Sequence, residues 1–156
     1  MATQPIRQPS AVPGALRPPV ARRHPVSVLG DLRVLAGALA APVGEPCWRQ
    51  RAMIRLAPVR RGFAAHVRAT EGPGGLYAEL LAQAPRLDRG VRLLTREHVA
   101  ITAMVGALQR AVELPDTPAD ELRALTTHLL GALARHRQRG ADLLWQAYET
   151  DLGGET

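Results

Sequence analysis

From residue 25 onward the apolar positions recur every three or four residues, the period of helices that bury one face. The first helix is predicted to begin with Pro25 at its first position and to stop before Pro42, burying Val28, Leu32, Leu35 and Leu39. Gly30 and Gly37 weaken it. The second runs from Pro46 to about Glu71, with Trp48, Ala52, Val59, Phe63 and His66 on or near one face, and Pro58 inside it is expected to kink it. "GPGG" ends that helix, "LYAELLAQA" forms a short helix of its own, and Pro85 punctuates again. The third helix, about residues 86–113, buries Leu87, Val91, Leu94, Ile101, Val105 and Val112. "LPDTPAD" closes a turn, with Thr117 as N-cap and Pro118 at the first helical position. The fourth helix, about residues 118–149, buries Leu122, Leu125, Leu129, Leu133, Leu143 and Ala147.

Four amphipathic helices with mostly short connections predict an all-α protein, an up-down-up-down four-helix bundle. No strand alternation or internal repeat competes with it. Residues 1–23 hold Pro5, Pro9, Pro13, Pro18 and Pro19 without apolar periodicity and read as a disordered Pro/Arg-rich tail. The bundle is then one domain over residues 24–156, which suits a chain of 156 residues.

Composition sharpens this picture in three ways. Apolar residues make up 46% but aromatics only 3%, so the core has to be built from Leu, Ala and Val, the material of packed helices. The net charge of +6 suggests nucleic acid, yet Arg7, Arg17, Arg22 and Arg23 lie in the acid-free tail, and the rest of the chain nearly balances. Nucleic acid is an unlikely partner on that distribution. A single cysteine, Cys47, rules out an intramolecular disulfide or a cysteine-based zinc site, and a reducing cytoplasm is expected. "RRHPVSVLGDLRVLAGALAA" resembles a twin-arginine signal, but Asp31 and Arg33 interrupt its apolar stretch, and no apolar run is long enough to cross a bilayer.

The histidines are the candidate chemistry. His98 falls in the middle of the third apolar stripe and His136 in the middle of the fourth; His66 lies at the edge of the second, and His24 just precedes the first helix. His128 is on a flank and expected to be solvated. Counted from the shared loop near residue 114, His98 and His136 lie roughly 22 and 27 Å along their helices, so they are nearly level. His24 and His66 match within about one turn by the same count. One histidine per helix therefore converges on one end of the bundle, where bundles build metal sites from inward side chains. A lone histidine in an apolar stripe is more often a packed imidazole than a ligand; four at matched heights shift the balance.

"FAAHVRATEGPGGLYAEL", "LTREHVAI" and "LARHRQRGADLLWQAY", in that order on successive helices, resemble the hemerythrin-like (HHE) domain over about residues 24–152. The resemblance implies a four-helix bundle with non-haem iron, held by histidines on all four helices and carboxylates from two, that binds oxygen or another small diatomic or responds to redox state. His66, His98 and His136 correspond to the histidines of the second, third and fourth helices, and His24 to that of the first. The carboxylates depart from the pattern. Four residues after His66 stands Thr70; Glu71 is one place later, about 100° round the helix, and reaches a metal only if the backbone unwinds before Gly72. Thr102 and Gly140 occupy the equivalent places after His98 and His136, and Asp142 reads as a surface or capping residue. Without bridging carboxylates, a mononuclear site or a bundle that has lost its metal fits better than a di-iron centre.

The leading expectation is an oxygen-, redox- or metal-responsive iron protein, with His66, His98, His136, His24 and Glu71 as the metal-site residues and no turnover implied. The rival is a metal-free helical interaction module whose Arg-rich second helix (Arg49, Arg51, Arg55, Arg60, Arg61, Arg68) docks an acidic protein partner. No Walker loop, nucleophile elbow or dinucleotide fingerprint is present.

Overall fold

Helix α1, Val28–Ala40, starts where a serine can cap it: Ser27 Oγ accepts the Gly30 N–H at 3.2 Å, and Asp31 stands in the first turn against the positive helix end. The computed structural model describes residues 27–149; His24, Pro25 and the expected tail over residues 1–23 lie outside the described residues. Ser27 itself is not helical, so α1 does not run from Pro25 as the sequence suggested. Leu29, Leu32, Leu35 and Leu39 form its buried stripe.

Three more long helices and one short one follow: α2 (Trp48–Glu71), α3 (Leu76–Gln83), α4 (Asp88–Glu113) and α5 (Ala119–Glu149). A 3-10 turn, Pro85–Leu87, precedes α4, so the third long helix begins at Asp88 and not at residue 86. Pro118 supplies the carbonyl that accepts the Glu121 and Leu122 N–H groups; it holds the N-cap place of α5 that Thr117 was expected to fill. Pro58 lies within α2, which continues through it.

α1 packs on α2 and α5, and α4 packs on the same two, which closes a square of neighbours: an all-α, up-down-up-down four-helix bundle. No helix among the described residues is long and apolar enough to cross a membrane.

Two helix ends are closed by arginines from a neighbouring helix in place of the glycine that commonly ends a helix. Arg49 of α2 donates to the carbonyls of Leu114 (2.9 Å) and Thr117 (2.7 Å), with longer bonds to those of Ala111, Val112 and Pro115, and so caps the C-terminal end of α4. Arg123 of α5 donates to Leu39 O at 2.8 Å and Ala41 O at 3.3 Å and does the same for α1. Trp48 Nε1–H also donates to Ala41 O at 2.9 Å, fastening the start of α2 to the end of α1. Arg49 is therefore not part of a free basic face; Arg51 pairs with Glu45 at 2.5 Å.

The core has two parts. The main one fills the space between the four long helices, from Leu29 and Trp48 through Phe63 and Ile101 to Leu133. The second lies under α3 and joins Tyr77, Leu80, Ala84, Leu87, Val91 and Leu94 to Leu143 and Ala147. Where α4 crosses α5 in this second part, Gly90 lets them approach: a Cβ there would stand 2.5 Å from Leu143 Cδ1.

Candidate metal centre

Between Phe63 in the main core and Tyr77 in the second, three imidazoles meet. His66 comes from α2, His98 from α4 and His136 from α5, each carried inward by the apolar stripe of its helix. His98 is 2% exposed and His136 6%; His66 is half-buried. Their Nε2 atoms form a nearly equilateral triangle: 3.1 Å from His66 to His98, 3.2 Å from His66 to His136, and 3.1 Å from His98 to His136. Together they are a group able to hold a metal ion.

The other nitrogens explain why the Nε2 atoms point inward. Nδ1 of His98 is bonded to the Glu71 carboxylate, and Nδ1 of His136 to Glu97 Oε2 at 2.9 Å. A carboxylate only accepts, so each of these imidazoles carries its proton on Nδ1 and presents a bare lone pair at Nε2. Two lone pairs 3.1 Å apart repel one another. The single Nε2 proton that a neutral His66 can bring does not satisfy both fully. A cation shared by all three nitrogens does.

The spacing fits such an ion. At metal–imidazole bonds of ~2.0–2.1 Å, ligand nitrogens stand roughly 2.9 Å apart at right angles and roughly 3.3 Å apart at the tetrahedral angle. The observed triangle lies between the two. Three neutral imidazoles suit zinc, copper, iron or nickel.

Glu71 is not placed among these nitrogens. Gly72 N–H still donates to Arg68 O at 3.0 Å, so α2 does not unwind ahead of Gly72, and the Glu71 carboxylate goes to the far side of His98. Its carboxylate meets His98 at Nδ1, the ring nitrogen that does not belong to the triangle. Thr70, where the resemblance expects a carboxylate, turns back on its own helix: its Oγ1 donates to His66 O at 2.9 Å. Thr102 is exposed, Asp142 is exposed and accepts from Gln138 at 2.8 Å, and His128 is exposed on α5. His24 lies outside the described residues.

Two residues of the site escaped the sequence reading. Glu97, 16% exposed, accepts from His136 and also from the Arg139 guanidinium, so its charge is balanced on one side while it orients the imidazole on the other. Its trace in the sequence is the Glu-His pair of "LTREHVAI" facing an Arg three residues after His136. Tyr77, buried on α3, stacks on His98 with planes 10° apart and centroids 5.8 Å apart, and its hydroxyl is 3.5 Å from His98 Nε2. The turn before α3 aims it there: Gly74 has φ 65, and a Cβ on Gly75 would lie 2.8–2.9 Å from three backbone carbonyl oxygens.

Burial dominates the electrostatics. It lowers the His98 pKa, helped by the neighbouring His136 and opposed by Glu71, so the imidazole is held in the neutral form that binds metals. Burial likewise pushes the Tyr77 phenol up to about 12, with its side-chain hydrogen bond to Thr70 opposing and the charges of Glu71 and Glu97 adding to it. The phenol is a neutral O–H at ordinary pH.

Comparison with protein-family models, with curated proteins and with solved structures finds no match to this chain.

Proposed function

We propose that this chain is a hemerythrin-like metal-binding bundle in which His66, His98 and His136 hold a single transition-metal ion, iron by the resemblance of its helix motifs, and that it acts as a redox- or metal-responsive protein and not as a catalyst. The observation that carries this is the convergence of three Nε2 atoms within 3.2 Å, two of them with tautomers fixed by Glu71 and Glu97. Carboxylates behind metal-binding histidines raise ligand basicity and fix ring orientation. Both acids here serve that end. Neither bridges toward the centre, which favours one ion over a pair. A bound ion would supply Lewis acidity or a redox couple; the chain supplies three imidazole donors, a mostly buried setting and two carboxylates behind the rings.

The test is the metal content of untagged protein purified aerobically and anaerobically, measured by elemental mass spectrometry, with His98→Ala and His136→Ala beside the wild type. About one ion per wild-type chain and none in the variants is expected. Two ions per chain would show that other residues complete a dinuclear site. No ion, even after anaerobic addition of iron, would reduce the cluster to packed imidazoles and favour the metal-free interaction module.

A further inference from the structure

α2 turns one flank to α1 and the other to α4. Gly62 faces α1, where a Cβ would stand 3.1 Å from Val28 Cγ2, and Arg60 faces α4, where it donates to Gln109 Oε1 at 3.4 Å. Arg61 lies between these two in sequence and, at about 100° per residue, points away from both neighbours. Seven residues make nearly two turns, so Ile54, Arg61 and Arg68 share that outward line, drifting only about 20° and rising about 10.5 Å at each step. All three are exposed, Ile54 at 61%. Ala64 and Ala65 fill the stretch between the two arginines and are exposed as well, so the line is low between its long side chains.

Such a line differs from a helix face that only meets water. A solvated face ordinarily carries acids among its bases, which pair three or four residues apart. α2 has no acid between Trp48 and Thr70. Among its arginines, Arg49 is taken up by the carbonyls at the end of α4, Arg51 by Glu45 and Arg60 by Gln109. The guanidinium groups of Arg61 and Arg68 have no hydrogen-bond or ion-pair partner among the described residues. Their complement is a surface with two carboxylates at the same interval of about 10.5 Å, an apolar side chain one step further, and little bulk over the alanines. A second α-helix meets all three conditions, because its own residues return to one face every seven positions. A phosphate polymer would meet the arginines and leave Ile54 bare. A lipid surface is entered by several long apolar side chains, of which this line has one.

We propose that the outward face of α2 is a docking surface for an acidic helical segment of a partner protein. Two carboxylates of that segment, seven residues apart, pair with Arg61 and Arg68, and an apolar residue one heptad further packs on Ile54. The surface lies apart from the histidine cluster and is independent of whether an ion binds there.

The experiment uses the full chain and a fluorescently labelled helical peptide of three heptads, with two glutamates and one leucine at seven-residue spacing on one face and alanine between them. The peptide is made with the leucine leading and with it trailing. A control has the same composition with the two glutamates moved to the opposite face. Anisotropy at physiological salt should show one order of the peptide bound at least about tenfold more tightly than the control. Ile54→Ser, and Arg61→Glu together with Arg68→Glu, should each weaken that binding about tenfold or more, as expected of residues at the centre of an interface. The melting temperature should stay the same, because these side chains are exposed. Equal affinity for the control, affinity untouched by Ile54→Ser, or no binding of either order would overturn the proposal. So would an oligodeoxythymidylate or phosphatidylglycerol vesicles bound more tightly than the peptide and lost in the arginine variant alone, which would make the face a general polyanion site.

Discussion

Glu97 shows how one side chain links charge, tautomer and ligand. Its carboxylate receives His136 Nδ1–H on one oxygen and Arg139 on the other, so it fixes which nitrogen faces the centre without leaving a bare buried charge. Glu97→Gln keeps the shape but weakens the acceptor, and its amide can turn an N–H toward His136. Metal affinity should fall by roughly 10–100-fold with the fold intact, measured by competition against a chromophoric chelator. His98 makes a second prediction, about pH. Burial lowers its folded pKa below the 6.5 of an unfolded histidine, so between the two values the unfolded chain binds more protons. Its contribution is thus in place above about pH 6.5 and is lost as the pH falls below that, toward the folded pKa. Urea midpoints of metal-free protein between pH 8 and 5 should decline below about 6.5, and less steeply in His98→Gln. An unchanged slope in that variant would assign the decline to other groups.

Helices are held at their ends as much as along their stripes. α4 ends at Glu113 with no glycine to close it, and its carbonyls are collected by Arg49 from across the bundle. Arg49→Ala removes that donor and the packing of its stem together. It should cost about 1–3 kcal/mol, seen as a melting temperature several degrees lower, while metal content per folded chain stays the same. Loss of metal with no loss of stability would contradict the separation of the clamp from the site. At the other end of α2, the Gly-rich turn joins Glu71 to Tyr77, and both settle on His98 from different directions. One turn thereby positions two residues of one imidazole's surroundings.

At the scale of the molecule, the histidines lie where the main core gives way to the second, and each of three helices contributes one. An ion held there would tie α2, α4 and α5 together and would bind only the folded chain. Its binding should raise the melting temperature, by an amount equal to about 2.7 kcal/mol when free metal is 100 times the dissociation constant, and a chelator should reverse it. A thermal scan with and without metal measures this directly. No shift at saturating metal would place any bound ion on the unfolded chain equally well, which a site built by three separate helices cannot do.

Much of this was legible in the sequence, because a helix is a local object. The 3.6-residue period marks the helices, and the same count puts His98 and His136 at matching heights on α4 and α5, with His66 facing inward beside them. Composition left a Leu-, Ala- and Val-rich helical core as the expected outcome. Helix starts were less legible: a cap depends on which carbonyl or hydroxyl finds a partner, and at Ser27 and Pro118 that moved the boundary from the expected residue. What only the tertiary structure decided is the azimuth of side chains between helices. Glu71, one place past the expected position, reads along the chain as a helix-end acid that could join a metal only by unwinding, yet across the helix interface it meets the outer nitrogen of His98. Glu97, Arg139 and Tyr77 are ordinary surface or core residues along the chain and become site residues through neighbours 21 to 42 positions away, the separations of Tyr77–His98 and Glu97–Arg139. Periodicity runs along one dimension, whereas a metal centre needs three nitrogens to agree in direction, and only packing brings that agreement about.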